Sequence, residues 1–334
     1  MRVAVVLFER ETLGAAMGSD RSTFSSSAYG GHGWSQRATS HAQEIGSLWQ
    51  GGIDSEWRTL RSVLLRAPGA EIIVDDVDAA QQLEPLDLAR AQDEHAQLVA
   101  AYQEAQVRVV EVPDVPAPTP NRMFCADLFV MTPQGAILAR PASTVRAGEE
   151  VATAMALAGA QVPILCTLTG TATFEGADLL WLDATTALIG RGLRTNQAGI
   201  DQITNLLGSL GITVLAVDMP FGTMHLMGMM RIADRDLAIA WPRRTPHAAV
   251  IALRDLGYKV AFLPDLDAAQ NNRALNFVTL GPRKILMPGG NDATRDWYQT
   301  LGVEVLETPM FELRKAAGAV GCLTGVVARD MAAI

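Results

Sequence analysis

Leu210-Gly211-Ile212-Thr213-Val214-Leu215-Ala216-Val217 is the stretch that decides the fold, because it is the clearest of five copies of one pattern. In each copy an amphipathic helix ends in a small-residue turn, and a β-branched strand follows that usually stops at a proline. The other copies are Gln106–Pro113, Ala160–Leu165, Leu256–Pro264 and Leu301–Leu306. Their spacing of about fifty residues is typical of modular repeats, so we predict a ring or array of similar units.

One conspicuous polar residue lies in the loop after each of these five strands. In chain order these residues are Asp127, Glu175, His225, Asn276 and Cys322. Equivalent loops of a ring lie on the same side of it. We therefore predict that a thiol, an imidazole and two carboxylates meet at a shared centre, although they are far apart in the chain.

Apolar residues three and four apart predict helices, and short apolar runs flanking turns predict hairpins. The predicted helices are 87–106, 149–158, 196–210, 246–256 and 292–301, and the predicted hairpins span 129–139, 179–189 and 276–287. Each unit thus reads as strand, helix and strand with an added hairpin, an α/β class. Residues 1–52, rich in Ser and Gly from residue 13 on, are predicted to be an arm or lid. Residues 53–334 are predicted to be one catalytic domain.

Composition and charge argue against some classes of function. The 334 residues are 49% hydrophobic and carry a net charge of -9, which argues against nucleic acid and is compatible with a small cationic substrate. No apolar stretch is long enough to span a bilayer. Three scattered cysteines suit a reducing cytoplasm, and the five histidines show no zinc-ligand spacing. We expect a cytoplasmic protein without metal or cofactor; its oligomeric state is open, a homo-oligomer included.

The candidate residues each have a chemical and a structural interpretation. Cys322 lies among glycines in Gly318–Gly325, which suits either an accessible nucleophile or a small buried side chain. His225 suits either a general acid or a buried core histidine. Asp127 and Glu175 could act in acid/base chemistry, hold a metal, grip a planar cation or cap a loop. Cation recognition is favoured, because no other metal-ligand cluster is present.

Four motifs occur in the order of a known family. Pro120–Asp127, Phe174–Asp178, His225-Leu226 and Gly321–Thr324 resemble the guanidino-group-modifying superfamily of arginine deiminases, dimethylarginine dimethylaminohydrolases and amidinotransferases. The resemblance runs from about residue 55 to 329. It implies a five-bladed α/β propeller of pseudo-fivefold ββαβ repeats, which agrees with the repeat counted above.

The resemblance also implies roles for the site residues. Cys322 would be the nucleophile, His225 the general acid and base, and Asp127 and Glu175 would grip the guanidinium, with Glu175 counted among the catalytic groups. Met227 stands where deiminases and amidinotransferases carry an acid two positions after the histidine. Dimethylarginine hydrolases also lack this acid, so the resemblance favours a substituted guanidine, with Met227 contacting it.

The anchor for the substrate carboxylate is not settled by the sequence. Arg140, Arg146 and Arg194 are candidates, and any of them could instead form a scaffold salt bridge. The expected function is hydrolysis of a guanidino C–N bond through a covalent amidino-thioether on Cys322. Transfer of the amidino group to an amine, and guanidine binding without catalysis, are the alternatives.

Overall fold

Five three-stranded sheets make up the second of two compact units in a computed structural model that describes residues 26–39, 43–44, 49–116 and 118–332. Their hydrogen-bonded orders are β15-β1-β2, β3-β4-β5, β6-β7-β8, β11-β10-β9 and β12-β13-β14. The strands are β1 Leu60–Leu65, β2 Arg108–Glu111, β3 Phe129–Thr132, β4 Gly135–Leu138, β5 Ile164–Thr167, β6 Leu179–Asp183, β7 Thr186–Arg191, β8 Thr213–Asp218, β9 Met230–Asp234, β10 Leu237–Ala240, β11 Lys259–Phe262, β12 Val278–Gly281, β13 Lys284–Pro288, β14 Glu304–Thr308 and β15 Gly325–Arg329.

Seven α-helices connect these strands in the described part of the chain. They are α1 Leu88–Glu104, α2 Glu149–Gly159, α3 Gln197–Ser209, α4 His247–Asp255, α5 Leu266–Gln270, α6 Asp292–Thr300 and α7 Val320–Leu323. The predicted first residues of α1 and α3 are their N-caps, since the Asp87 and Asn196 side chains accept hydrogen bonds from Arg90 N and Gly199 N. The five long predicted helices are confirmed to within about two residues at each end.

The same connection recurs in every sheet. The central strand pairs antiparallel with one neighbour and parallel with the other, and a helix crosses over between the parallel pair. In one sheet, for example, Leu188 of β7 pairs with Leu180 of β6 and Leu215 of β8. The sheet of β1 and β2 obtains its antiparallel strand from β15, at the other end of the chain. The predicted ββαβ unit is therefore confirmed, with the last strand completing the first unit.

The turn between helix and strand is identical in all five units. Its central residue has a positive φ, between 60° and 85°, at Gln106, Gln161, Gly211, Gly257 and Gly302. The next amide donates to the carbonyl five residues earlier, as from Ile212 to Leu207 at 3.0 Å. This bond closes the helix and turns the chain back along the sheet. Glycine tolerates this conformation, which explains the small residue predicted here, although glutamine occupies it in two units.

Hydrogen bonds also join neighbouring sheets. Trp181 Nε1 of β6 donates to Met131 O of β3 at 3.1 Å, and Tyr258 OH donates to Leu182 O. Thr279 Oγ1 of β12 donates to Ile232 O of β9 at 2.6 Å, and Arg329 Nη1 of β15 donates to Thr279 O at 2.7 Å. These bonds fix the sheets to one another and hold the loops between them in place. Among the described residues no helix is both long and apolar enough to cross a bilayer.

The chain divides into one compact unit at Met1–Glu44 and another at Ile45–Ile334. In the first, the described residues include a single 3-10 turn, Ser27–Tyr29, whose cap Ser26 Oγ accepts from Ala28 N. In the second, Gly52 N donates to Val327 O at 3.0 Å. Most of the arm predicted for residues 1–52 lies outside the described residues. The arm, its role as a lid and the domain boundary at residue 52 stay predictions.

Candidate active site

Three of the five predicted loop residues form a buried polar cluster. Asp127, Glu175 and His225 precede β3, β6 and β9, each at a 3-10 turn. His225 Nε2 lies 2.6 Å from Glu175 Oε2 and 3.8 Å from Asp127 Oδ1. All three side chains are buried. The two carboxylates therefore face one imidazole nitrogen.

Asp178 ties the loops of this cluster together. Its Oδ1 accepts from Leu226 N at 3.0 Å, directly after His225, and its Oδ2 accepts from Thr195 Oγ1 at 2.6 Å. Thr195 Oγ1 in turn accepts from Glu175 N at 3.3 Å. Asp178 thus positions the histidine through the backbone of Leu226 and the glutamate through the side chain of Thr195.

The other two loop residues form a pair of their own. Asn276 Nδ2 donates to Cys322 Sγ at 3.0 Å, and Cys322 N donates to Asn276 Oδ1 at 3.1 Å. Cys322 lies in α7 and is half-buried, so its sulfur is held in place but not sealed off. A Cβ on the preceding Gly321 would lie only 1.7 Å from Arg231 Nη2, which explains the glycine at that position.

Two cavities bring the pair and the cluster together. A small cavity of about 30 Å³ is lined by Asp127, Arg146, Arg194, His225 and Cys322, among others. A large cavity of about 510 Å³ also has His225 and Cys322 in its wall. Cys322 and His225 therefore both contribute to the walls of the same two spaces.

The protonation states follow from these surroundings. Burial would lower the pKa of His225, but the charge of Asp127 and the hydrogen bond with Glu175 outweigh it and raise the pKa to about 9. Burial would raise the pKa of Glu175, but His225 and Arg146 hold it at about 2. Burial and the charge of Asp127 raise the pKa of the Cys322 thiol. At neutral pH the site holds an imidazolium, a carboxylate and a thiol.

The shifted pKa of His225 predicts a pH dependence of stability. The pKa rises from 6.5 to about 9 on folding, so the stabilisation is complete below pH 6.5 and is lost as the pH rises to 9. We expect the free energy of unfolding of the native protein to fall by about 3 kcal/mol more than that of His225→Gln over this range. Urea unfolding at pH 6 and pH 9.5 measures it, and parallel curves for the two proteins would contradict it.

The predicted carboxylate anchors occupy different places. Arg194 lines the small cavity, with Nη1 3.2 Å from Glu175 Oε1. Arg140 is exposed, donates to Ala172 O at 2.9 Å and is not in the wall of either cavity. Met227 is buried and lines the large cavity. Of the predicted substrate-binding residues, Arg140 is the one that the structure does not bring to the centre.

Arg146 already shows how the two carboxylates hold a guanidinium. Its Nη1 lies 2.6 Å from Asp127 Oδ2 and 3.6 Å from Glu175 Oε2, and Glu149 binds its other side. Asp127 Oδ1 is buried and has no hydrogen-bond partner among the described residues. This oxygen is therefore free to accept a hydrogen bond from a ligand in the small cavity.

A metal ion does not fit this cluster well. The ligand atoms of Asp127, Glu175 and His225 lie within 4.8 Å of one another, a spacing that a metal could use. Arg146 and Arg194 already form ion pairs with the two carboxylates, however, and the imidazole must lose its proton before it can bind a metal. The donor set suits a guanidinium better than a metal ion.

The sequence analysis did not assign the roles that Arg146, Asp178 and Asn276 have here: pairing with the carboxylates, holding the loops and bonding to Cys322. Asp178 lies in the Phe174–Asp178 motif and Asn276 occupies the fourth equivalent loop, so a sequence pattern marks both residues. No sequence pattern marks Arg146 beyond its charge, because its three acidic partners are distant in the chain or come from another element.

The turn that carries Glu175 has no room for a side chain at Gly176. A Cβ there would lie 2.2 Å from Phe129 O and 2.5 Å from Ala126 O, both in the backbone. We expect Gly176→Ala to destabilise the protein by about 1–3 kcal/mol and to lower any activity, because the turn must move. Gly208→Ala in α3, where nothing lies within 4 Å of a Cβ, is the control in urea unfolding. Equal stability of the two variants would contradict the prediction.

Comparisons with known proteins identify relatives of this chain. A sequence profile described as "N,N dimethylarginine dimethylhydrolase, eukaryotic" matches residues 77–251. The N(G),N(G)-dimethylarginine dimethylaminohydrolase of Pseudomonas aeruginosa is 24% identical over 265 residues, which cover 79% of this chain and 98% of that enzyme. The predicted guanidino-modifying superfamily is confirmed.

Two solved structures share the fold. A mutant of the Pseudomonas aeruginosa enzyme complexed with citrulline has a TM-score of 0.68 and 21% identity, and covers 81% of this chain and 100% of its own. The inosamine-phosphate amidinotransferase of Streptomyces griseus has a TM-score of 0.70 and 17% identity, with 86% and 99% covered. The α/β fold is thus common to a hydrolase and a transferase.

Proposed function

This chain belongs to the N,N-dimethylarginine dimethylhydrolase family, and we propose that it hydrolyses a C–N bond of a substituted arginine through a covalent adduct on Cys322. The observation that carries the proposal is the meeting of Cys322 and His225 at two shared cavities, with Asp127 and Glu175 beside the imidazole. This arrangement supplies a nucleophile, a proton donor and a recognition site for guanidinium.

Substrate binding prepares the nucleophile. The guanidinium is held by Asp127 Oδ1 and Glu175, and Arg194 binds the substrate carboxylate from the wall of the small cavity. The positive charge of the bound guanidinium offsets the negative charge of Asp127, which raises the pKa of the Cys322 thiol in the free enzyme. The thiol then loses its proton to solvent more readily. A free enzyme with a protonated thiol is thereby activated by its own substrate.

The reaction proceeds in two halves. The Cys322 thiolate adds to the guanidinium carbon, and the His225 imidazolium donates its proton to the departing nitrogen, which leaves as an amine. Neutral His225 then takes a proton from water, and this water attacks the amidino-thioether and releases the urea product and the thiolate. General acid and base catalysis of this kind contributes roughly 10²–10⁴-fold.

Met227 is proposed to set the preference for a substituted guanidine. It is buried in the wall of the large cavity and leaves the departing nitrogen without a carboxylate partner. We expect Met227→Asp to raise kcat/KM for plain arginine relative to dimethylarginine by about tenfold, since a charge-assisted hydrogen bond becomes available to the unsubstituted nitrogen. Met227→Leu is the control of equal size. An unchanged ratio in steady-state kinetics would place the preference elsewhere.

A substrate panel without any amine acceptor tests the proposed function. Arginine, methylarginines, agmatine and guanidino acids are incubated with the enzyme, and mass spectrometry follows both the products and the mass of Cys322. Repeated turnover to a urea product supports hydrolysis. A single amidino group per enzyme that is released only by an added amine indicates a transferase, and no reaction with any compound indicates a binding protein.

The proposal also covers the architecture, the cellular compartment and the oligomeric state of the enzyme. We infer that the five sheets are the blades of a closed α/β propeller in residues 53–334, supported by the hydrogen bonds between neighbouring sheets. Residues 1–52 are proposed to be the arm. Three free cysteines support a reducing cytoplasm. A homo-oligomer stays a hypothesis, which light scattering of the full chain would test.

A further inference from the structure

The large cavity is far bigger than a dimethylamino group needs. Its volume of about 510 Å³ is that of a site for a whole small molecule, whereas dimethylamine has three non-hydrogen atoms. Its apolar wall includes Met224, Met227, Leu275 and the side chain of Trp241. The space beside Cys322 is therefore shaped for a longer substituent, part of which is apolar.

Two arginines without acidic partners line this cavity. The Arg244 guanidinium stacks on Trp241 at 4.7 Å and donates to Gly222 O at 3.4 Å. Arg273 Nε is buried and has no hydrogen-bond partner in the part of the chain that the structure describes. Neither forms an ion pair with any acid among the described residues, whereas Arg146 and Arg194 both do. Both residues are partly exposed to the cavity, and their charges are not offset by an acid among the described residues, so these two guanidinium groups are suited to an anionic ligand.

The charge of the cavity wall also favours an anionic ligand. Among the described residues no Asp or Glu contributes to it, although the chain as a whole carries a net charge of -9. Its charged groups are Arg244, Arg273 and the imidazole of His225. A purely cationic substituent would be repelled from this space, and an anionic group would be attracted.

The position of Arg273 connects this charge to the nucleophile. Arg273 O accepts from Asn276 N at 2.8 Å, and the Asn276 side chain binds Cys322. Arg273 also has a positive φ of 56°, an unfavourable conformation for a residue with a side chain. The loop that holds the thiol thus also holds the arginine at the cavity wall.

The two cavities meet at the reacting atoms. Met224, His225, Ala317 and Cys322 line both of them. A guanidine whose central carbon lies at Cys322 can extend one nitrogen substituent into each cavity. With the amino-acid end beside Arg194 in the small cavity, the departing nitrogen carries its substituent into the large one.

We propose that the large cavity binds an anionic group on the departing nitrogen, so that the preferred substrates are arginines whose N-substituent ends in a carboxylate. This inference rests on the proposed function and specifies its substrate class. In the reaction the substituted guanidinium and water give citrulline and the ammonium form of an amino acid, with the C–N bond to the substituted nitrogen broken. No other reactant is required.

Two compounds of equal reach test the proposal. Nω-(2-carboxyethyl)arginine and Nω-propylarginine differ in the terminal carboxylate, and dimethylarginine serves as the short reference. We expect a KM about 10- to 100-fold lower for the carboxyethyl compound than for the propyl compound. Equal KM values for the two would overturn the proposal, while turnover of dimethylarginine would still support the proposed function.

Variants show which residues recognise the acid. Arg244→Met with Arg273→Met is expected to erase the difference in KM between the carboxyethyl and propyl compounds, and the ratio of these two KM values is the readout. Arg243→Met, an exposed neighbour that lines neither cavity, is the control. If the double variant raises the KM of all arginine substrates equally but not that of agmatine, the two arginines bind the α-carboxylate and the proposal is wrong.

Calorimetry with the Cys322→Ser variant separates this inference from catalysis. Tighter binding of the carboxyethyl compound, by the same 10- to 100-fold, supports the anionic subsite even if no compound is turned over. Equal binding of the carboxyethyl and propyl compounds overturns the subsite, whatever the activity of the native enzyme.

Discussion

Cys322→Ser is expected to lower kcat for every guanidine substrate by at least about 10⁴-fold, because the reaction depends on a covalent bond to sulfur. A serine hydroxyl does not ionise near neutral pH. Asn276 can still donate to the smaller oxygen, so the fold and substrate binding should survive. Steady-state kinetics and urea unfolding of the same preparation separate loss of chemistry from loss of structure.

Cys166→Ser is the matched control, since Cys166 is also a half-buried free cysteine but lies in β5, outside both cavity walls. It should keep full activity. Acid quenching of the native enzyme should add one amidino group to Cys322, because a protonated His225 cannot activate water for the second step. Full turnover by Cys322→Ser would rule out the covalent route for hydrolysis and transfer alike.

The repeat made much of the fold predictable, because one local device occurs in every unit. Each helix closes in the same left-handed turn, and the sequence marks that turn with Gly in three units and Gln in two. The loop residues after the strands follow from the same periodicity. The meeting of Asp127, Glu175 and His225 was therefore predictable from their equivalent positions, before any distance was known.

Other features of the fold and the site leave no pattern in the local sequence. Every residue of β9 and β10 is buried, including Arg231 and Asp234, and these two charged residues break the apolar run that predicted the other hairpins. The predicted hairpin at 276–287 begins two residues late, at Val278, which leaves Asn276 in the loop where it can reach Cys322. The two arginines of the large cavity are indistinguishable in sequence from surface arginines.

The partners of Arg146 show most clearly what cannot be predicted from sequence. Three acids from three parts of the chain share this guanidinium. Sequence could include Arg146 among three possible anchors but could not rank them, because ion pairs depend on separations in space. The same limit applies to the pKa values, since the shift of His225 arises from Asp127 and Glu175, which are distant in the chain.

Glu175→Gln is expected to cost both stability and activity. Glu175 is fully buried and faces His225, Arg194 and Arg146, so the variant leaves positive charges in the interior without their partner. We expect the free energy of unfolding at pH 7 to fall by about 3–5 kcal/mol. The pKa of His225 should fall as well, and kcat should drop by roughly 10²–10⁴-fold, because the proton donor and the guanidinium grip are weakened together.

The pH dependence distinguishes this effect from general damage to the fold. The pKa of Glu175 falls from 4.5 to about 2 on folding, so its stabilisation is present above pH 4.5 and is lost as the pH falls towards 2. The native protein should lose this contribution in acid, and Glu175→Gln should not. Glu149→Gln, which also breaks a buried pair with Arg146 but makes no contact with His225, is the control. It should lose stability but keep the pH profile of kcat, whereas Glu175→Gln should move the basic limb of that profile to lower pH. If the two variants shift the profile equally, the imidazolium is not held by Glu175 and the assignment of His225 as proton donor fails.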